Sequence, residues 1–283
     1  GYPIAYIAAK VVSGHDLLSL KNPVTGITSA FYEPALDYIT IKMPRWDLDK
    51  FTQVDRNLGS TMKSVGEVMA IGRNFPEAIQ KAYRMVSESP IGLSENYDNN
   101  YKETNKSFLP TDERLSILCQ IIRTARTPNE IKSKTGVDEW FLTELATIIK
   151  IENQISSFVS QDIKTREELE TKLETLSSET WFTWKRNGFS DEQIAYILLT
   201  RLKDDTDRLT FSLKIRALRS KKNVVPHVKK IDTTAAEYPS PSNYLYFSYA
   251  TSFHDDLDFV EKDSGVIVPV SYTHLRAHET RHD

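Results

Sequence analysis

Glycine is scarce in this sequence. The chain of 283 residues contains 10 glycines, about half of the roughly 7% that is average for proteins. Enzymes that bind nucleotides usually need glycine-rich loops, because the backbone N–H groups of such loops must come close to the phosphates. The scarcity indicates that this chain does not carry a complete nucleotide-binding site.

Cysteine, an excess of basic residues and long apolar runs are also missing. A single cysteine, Cys119, excludes a disulfide within the chain and suits a reducing compartment, so we expect a cytoplasmic protein. Lys and Arg number 36 against 39 Asp and Glu, giving a net charge of −3, which is not the basic footprint of a nucleic-acid-binding domain. No stretch approaches the ~18 consecutive apolar residues of a membrane span. We therefore expect neither nucleic acid nor a membrane as a partner.

Cys119 lies on the apolar side of a helical pattern that runs from Arg114 to Ile122. A catalytic cysteine needs a partner that activates its thiol, and the sequence offers no triad-like set around this one. The pattern predicts a small buried apolar side chain, with a nucleophile as the alternative.

Histidine is concentrated at the C-terminus, where His274, His278 and His282 are spaced four residues apart. On a helix this spacing would stack three imidazoles on one face, an arrangement that could hold zinc or nickel. The surrounding run, residues 271–280, is similar to a translated sequencing adapter. We expect a tail that is foreign to the protein and assign no metal ligand; a disordered native tail and a metal site are the alternatives.

The first third of the chain has an α/β pattern. Residues 4–12 are rich in alanine and typical of a helix, and Tyr38 to Lys42 alternate as a strand that Met43-Pro44-Arg45 should end. A second strand is predicted over 66–72, followed by a helix that Asn74 caps and that continues to about Val86. Residues 88–110 are polar and irregular, which indicates a linker.

Successive short helices are predicted from Thr111 to about residue 220. Three runs have the form of a capping box, in which the first side chain and the fourth bond reciprocally to the backbone: 127–130, 165–168 and 190–193. The last helix, from Thr206 to Arg219, ends in basic residues that favour a solvated helix terminus over an anion site. The pattern supports a small all-α domain without assigning it any chemistry.

Beyond Pro226 the chain is extended, with strands or linker predicted over 228–232 and 244–249 and the start of a buried strand at 266–268. An acidic run follows the second of these segments: Asp255, Asp256, Asp258, Glu261 and Asp263. Paired carboxylates could bind a divalent cation. The run lacks the loop pattern of a calcium site, so we expect a solvated loop.

Several of these runs resemble the large chain of carbamoyl-phosphate synthetase. The most specific are 33–38 (Glu-Pro-Ala-Leu-Asp-Tyr) and 62–73 (Met-Lys-Ser-Val-Gly-Glu-Val-Met-Ala-Ile-Gly-Arg). Residues 138–142 and 188–195 are similar to the helical oligomerisation domain of that family, and 230–246 to the stretch that joins its two synthetase halves.

The resemblance implies a fold class: the α/β C-terminal part of an ATP-grasp domain followed by an all-α helical oligomerisation domain. The implied divisions are 1–87, the end of the first ATP-grasp (carboxyphosphate synthetase) domain; 88–110, a linker; 111–225, the oligomerisation domain; 226–268, an extended connector with the first strand of the second half; and 269–283, the foreign tail. Strands within 1–86 that lack sheet partners should expose apolar faces.

The resemblance also implies a function. The family makes carbamoyl phosphate from bicarbonate, ammonia and two ATP, with Mg or Mn, for pyrimidine and arginine biosynthesis, and a glutaminase subunit or domain supplies the ammonia from glutamine. Its first set of nucleotide and metal ligands would precede Gly1, and its second glycine-rich loop would follow Val268. We therefore assign no catalytic, ATP-binding or metal-binding residue here and expect the chain alone to be an inactive part of an ATP-dependent ligase.

Two residues receive a role by resemblance. Leu36 and Met62 fall where the family lines its internal carbamate tunnel, and an apolar wall there would keep water from a labile intermediate. Ordinary core positions are the alternative for both. The alternative for the whole chain is a helical self-association module without catalysis, built on residues 111–220.

Overall fold

A computed structural model describes residues 3–256, except 24, 33–34, 52, 87–90, 95–103, 125, 206, 232–243 and 252. The histidines of the tail and the strand expected at 266–268 lie outside the described residues.

An antiparallel strand pair forms the centre of the first region, by which we mean residues 3–86. Helix α1 (Ile4–Val12) precedes strand β1 (Ile39–Arg45), which pairs with β2 (Gly66–Gly72) from Ile39 opposite Gly72 to Arg45 opposite Gly66. Strand β1 includes Pro44, so its expected end at residue 43 was wrong. Proline is tolerated there because, within the described part of the chain, β1 has β2 as its one neighbour and needs no N–H on the other edge.

This first region leaves many apolar side chains exposed, as the sequence predicted. Most of the exposed large apolar residues that the structure describes fall between positions 4 and 69, among them Val12, Leu18, Phe31, Phe51 and Val65. The two-stranded sheet is too small to bury them, so this region has little core of its own.

Seven α-helices in the described part of 111–225 confirm the all-α domain. They are α3 (Arg114–Arg123), α4 (Pro128–Thr135), α5 (Glu139–Phe158), α6 (Arg166–Glu174), α7 (Ser178–Arg186), α8 (Asp191–Leu202) and α9 (Arg208–Lys221). The longest, α5, packs against α3, α4 and α8. Trp181, Phe189 and Phe211 are the largest fully buried side chains of this core.

The core of the helical domain also includes part of the first region. Helix α2 (Phe75–Val86) follows β2 and packs against both strands and α5. Its Ile79 belongs to the same buried cluster as the residues of α5 and α8, and so does Leu93. The two regions therefore share one hydrophobic core.

Two of the three predicted capping boxes form as expected. Thr127 with Glu130 starts α4, and Thr165 with Glu168 starts α6; in each, both reciprocal bonds are present. In the third, only one of the two reciprocal bonds forms. Ser190 Oγ accepts a bond from the backbone N–H of Gln193 at 2.9 Å, but the Gln193 side chain bonds elsewhere.

Cys119 is a buried helix residue, as predicted. It lies in α3 at 2% exposure, and burial raises the pKa of its thiol to about 12. Because the reactive form of cysteine is the thiolate, this side chain contributes packing rather than nucleophilic chemistry.

The segment after α9 forms a short hairpin-like pair. Strand β3 (His227–Lys230) runs antiparallel to β4 (Leu245–Ser248), with His227 opposite Ser248 and Lys230 opposite Leu245. Both strands fall where extended segments were predicted. Across the described residues, none of the helices combines the length and the apolar character that a bilayer crossing requires.

Candidate functional site: a buried polar joint

The two residues assigned to a tunnel lie on the surface of this chain. Leu36 is 53% exposed and Met62 is 86% exposed. Neither side chain belongs to the core that the structure describes in this chain. Their role in lining a tunnel stays a prediction, since an exposed apolar side chain can still face another part of a larger protein.

The first two carboxylates of the acidic run bind backbone and lysine donors of β3. Asp255 Oδ1 accepts the backbone N–H of Val228 at 2.7 Å, and Asp256 accepts that of Lys230 at 2.9 Å and the ammonium of Lys229. Among the residues that the structure describes, no group of three or more His, Cys, Asp or Glu could hold a metal ion. These two carboxylates therefore fasten the chain after β4 to β3.

The notable polar chemistry of the chain lies at a joint between the first region, the helical domain and the hairpin. We define the joint by three buried groups: the Glu77 group, the Gln193 group and the Asp191 group. Each is built from residues distant in sequence.

The Glu77 group forms at the first turn of α2. Asn74 caps this helix as predicted, because its Oδ1 accepts the N–H of Glu77 at 2.9 Å. The Glu77 side chain, 1% exposed, accepts the Arg73 N–H and the Ser248 hydroxyl, each at 2.9 Å, and pairs with Lys81 Nζ at 2.7 Å. Its buried charge is thus neutralised and hydrogen-bonded, as burial of a carboxylate requires.

The Gln193 group joins α2 to α8. The side-chain amides of Gln80 and Gln193 are fully buried. Gln193 Nε2 donates to Gln80 Oε1 at 2.7 Å and to Ser94 Oγ at 3.1 Å. Gln80 Nε2 donates in turn to the carbonyl of Asn187 at 2.7 Å. Arg84 Nη1 donates to the carbonyl of Gly188 at 2.8 Å. One face of α2 is therefore hydrogen-bonded along its length to the turn between α7 and α8.

The Asp191 group lies at the start of α8. Arg219 binds the carboxylate with two parallel bonds of 2.8 Å, and Lys185 Nζ donates to it at 2.9 Å. Burial opposes ionisation of Asp191, but the two cations outweigh it and hold its pKa below the usual value. Burial lowers the pKa of Lys185 to about 8 against the attraction of Asp191.

Arg219 corrects an expectation. The basic end of the last helix was predicted to be solvated, yet Arg219 is 5% exposed and also donates to the carbonyl of Val224 at 2.7 Å. The ring of Tyr249 covers both cations, with its centroid 5.5 Å from the guanidinium of Arg219 and 5.1 Å from Lys185 Nζ. The charge of Arg219 is neutralised by Asp191 inside the protein, so this side chain is not part of an anion-binding site.

Chemically, the joint is suited to holding parts together. The carboxylates of Glu77 and Asp191 and the amide of Gln193 are engaged by protein donors and acceptors from other elements. Such fully paired networks add rigidity and specificity of docking.

The comparison with known families decides where the chain belongs. The family model described as carbamoyl-phosphate synthetase large chain, oligomerisation domain, matches residues 67–222, more than half of the chain. The chain belongs to the carbamoyl-phosphate synthetase large-chain family. The match begins at β2 and ends just after α9, so it includes all three groups of the joint apart from the hairpin residues.

Similar proteins are carbamoyl-phosphate synthetases and multifunctional proteins. The chain is 41% identical over 269 residues to multifunctional protein CAD of Squalus acanthias, covering 94% of this chain and 11% of the relative. It is 40% identical over 269 residues to the mitochondrial arginine-specific large chain of Schizosaccharomyces pombe (94% and 21%). It is 40% identical over 262 residues to human mitochondrial carbamoyl-phosphate synthase [ammonia] (90% and 16%). The chain thus spans about a tenth to a fifth of the length of these relatives.

Several residues of the joint could not be found from the sequence pattern alone. Glu77 and Gln80 lie beside apolar positions of α2. A polar residue on the buried face of this helix would have been the signal that its side chain bonds to another element. Gln193 was placed in a capping box, and nothing in the local pattern reveals that its amide bonds to another helix. The pairing of Asp191 with Arg219 spans 28 residues and needs the packing of α8 on α9.

Proposed function

We propose that this chain is part of a carbamoyl-phosphate synthetase, in which its helices form the oligomerisation domain. The observation that carries the proposal is the family match over 67–222, which coincides with the helical core and the joint. The similarity to three synthetases and multifunctional proteins over 90% or more of the chain supports it.

The proposed division of the chain follows the sequence. Residues 1–87 would be the C-terminal part of the first ATP-grasp domain, 88–110 a linker, 111–225 the oligomerisation domain and 226–268 the connector to the second half. The exposed apolar surface between positions 4 and 69 supports the first assignment, because it would be covered by the rest of such a domain. Leu36 and Met62 lie on that surface, as a tunnel wall completed by other residues would require.

The proposed activity of the whole enzyme is synthesis of carbamoyl phosphate from bicarbonate, ammonia and two ATP. A glutaminase subunit or domain would release the ammonia from glutamine, and the enzyme would serve pyrimidine or arginine biosynthesis. Two of the relatives are named as mitochondrial proteins, and a cytoplasmic location for this protein stays a prediction.

Within the part of the chain that the structure describes, the carboxylates of the joint and those that follow β4 do not fit a site for ATP and a divalent cation. The buried carboxylates of Glu77 and Asp191 are already neutralised by Lys81, Lys185 and Arg219, and Asp255 and Asp256 accept from β3. We therefore derive no catalytic step from the described residues and propose that the nucleotide and metal ligands of the enzyme lie elsewhere.

A chimera tests the proposed function. This chain, without residues 269–283, would replace the matching segment of the Schizosaccharomyces pombe synthetase, and carbamoyl phosphate formation from bicarbonate, ammonia and ATP would be measured. We expect an active chimera and no turnover by the chain alone. A folded but inactive chimera, or turnover by the isolated chain, would overturn the proposal.

Self-association is the second candidate function. Leu209 and Leu213 lie four residues apart on α9, and each is 59% exposed, which leaves an apolar stripe on a helix whose other side is core. A second copy of this chain is the partner that an oligomerisation domain implies.

We expect sedimentation velocity to show association that grows with protein concentration. Replacing both leucines with glutamine should weaken it at least about tenfold, since two apolar side chains would lose their burial. Leu18→Gln, at a position of the first region that is 69% exposed, is the control. A strict monomer at high concentration would count against this role.

A further inference from the structure

Four consecutive residues of the hairpin contact three separate parts of the chain. Tyr246 lies against Tyr38 of the segment before β1, with ring centroids 6.5 Å apart. Phe247 offers its carbonyl to Lys81 Nζ at 2.6 Å, and Ser248 donates to Glu77. The ring of Tyr249 then lies over Lys185 and Arg219 of the Asp191 group.

The contact between Ser248 and Glu77 is buried and polar. Ser248 is completely buried and its Oγ also accepts the N–H of Ala250 at 3.0 Å. The Lys81 ammonium donates to three partners: Glu77, the carbonyl of Ile71 at 2.9 Å and the carbonyl of Phe247. Removal of β4 would take one partner from the Glu77 carboxylate and one from the Lys81 ammonium at once, which carries a free-energy cost.

The chain that follows β4 is itself bonded to β3, at Asp255 and Asp256. The backbone N–H of Asp256 donates to the carbonyl of Val228 at 2.9 Å, and the Asp255 and Asp256 carboxylates bind β3. Strand β4 is therefore held on one side by β3 and on the other by the joint, so it can leave the joint only by a concerted movement of the hairpin.

We propose that β4 with Tyr249 is a strap that couples the first turn of α2 to the turn between α7 and α8. The two places are also joined directly, through the bonds of Gln80 and Arg84 to the turn, and release of the strap loosens both of them together. The strap makes the connector segment a conformational control of how the first region docks on the helical domain. This inference does not depend on the proposed activity.

Native-state hydrogen exchange of single variants tests the coupling. Ser248→Ala removes a bond to Glu77, and Tyr249→Leu removes the ring over Lys185 and Arg219. Each should raise exchange about tenfold at the turn it touches, since a bond to a charged group is lost. The strap also requires each to raise exchange at the other turn, read at the amides of Ala78 and Ile194.

The matched control is Leu245→Thr, on the same strand but 45% exposed, which should leave both turns unchanged. In the double variant the strap is already released, so the two effects should not multiply. Faster exchange confined to the turn that each variant touches would overturn the proposal, and so would effects that multiply. Near-ultraviolet circular dichroism verifies that each variant is folded; if one is not, the reciprocal effect of the other single variant decides.

Discussion

Replacing Asp191 with asparagine is expected to lower the free energy of unfolding by about 3–5 kcal/mol, the usual cost of leaving a buried charge without its partner. Two cations would lose their common anion, because the side chains of Lys185 and Arg219 are 5% and 7% exposed. Urea denaturation followed by tryptophan fluorescence measures the change, since Trp181 and Trp184 lie in the same core.

The adjacent residue provides a matched control. Glu192 bonds to Arg208 at 2.8 Å, but both side chains of this pair are partly exposed. Glu192→Gln should therefore cost only about 0–1 kcal/mol. Equal losses for the two variants would show that the Asp191 group does not carry the energy that its burial indicates.

The effect of Asp191 should also depend on pH. Its folded pKa lies below that of an unfolded aspartate, about 3.9. The carboxylate then contributes stability that is fully present above that value and is lost as the pH falls through the folded pKa. The difference in unfolding free energy between the native chain and Asp191→Asn should accordingly shrink as the pH falls below about pH 4.

Replacing Gly188 with alanine is expected to loosen the contact between α2 and the α7–α8 turn. Gly188 has φ of +87°, and a Cβ there would lie 2.9 Å from both the Cα of Glu77 and the carbonyl oxygen of Pro76. Both atoms belong to backbone, so they cannot move aside as a side chain end would. We expect a loss of about 3 kcal/mol or more, from positive φ and from overpacking together.

Gly136 separates these two causes. It has a similar φ of +70° at the end of α4, but a Cβ there would meet no atom within 4 Å. Gly136→Ala should cost only the conformational part, about 1–2 kcal/mol. Thermal unfolding of both variants measures the difference, and equal shifts in melting temperature would contradict the close approach of α2 at Gly188.

Local patterns predicted the elements of this chain better than their assembly. The signals for the strand over 66–72, which is bounded by glycines, and for the boxes at Thr127 and Thr165 act within a few residues, so the sequence carries them in full. The continuation of β1 through Pro44 depends on which edge of the sheet is free, which no local pattern states. The tail histidines and residues 257–268 lie outside the described residues, so their interpretation stays a prediction.

The joint could be predicted least. Its bonds join Gln80 to Gln193 and Glu77 to Ser248 across more than 100 residues. Polar residues on a buried helix face are compatible with capping, solvent exposure or pairing, and only the packed structure decides among them. The buried Arg219 is the plainest example, since its position at a helix end favoured solvent.

The half-formed capping box of α8 has a consequence for how the chain folds. The Gln193 amide that would close the box donates instead to Gln80 of α2 and to Ser94, so the N-terminus of α8 exchanges one of its usual local bonds for a bond to α2. Because Gln193 is fully buried, its amide would lose the partner Gln80 if α2 were absent. A helical domain excised at residue 111 would begin without the segment that completes it, whereas one excised at β2 would carry its own missing partner.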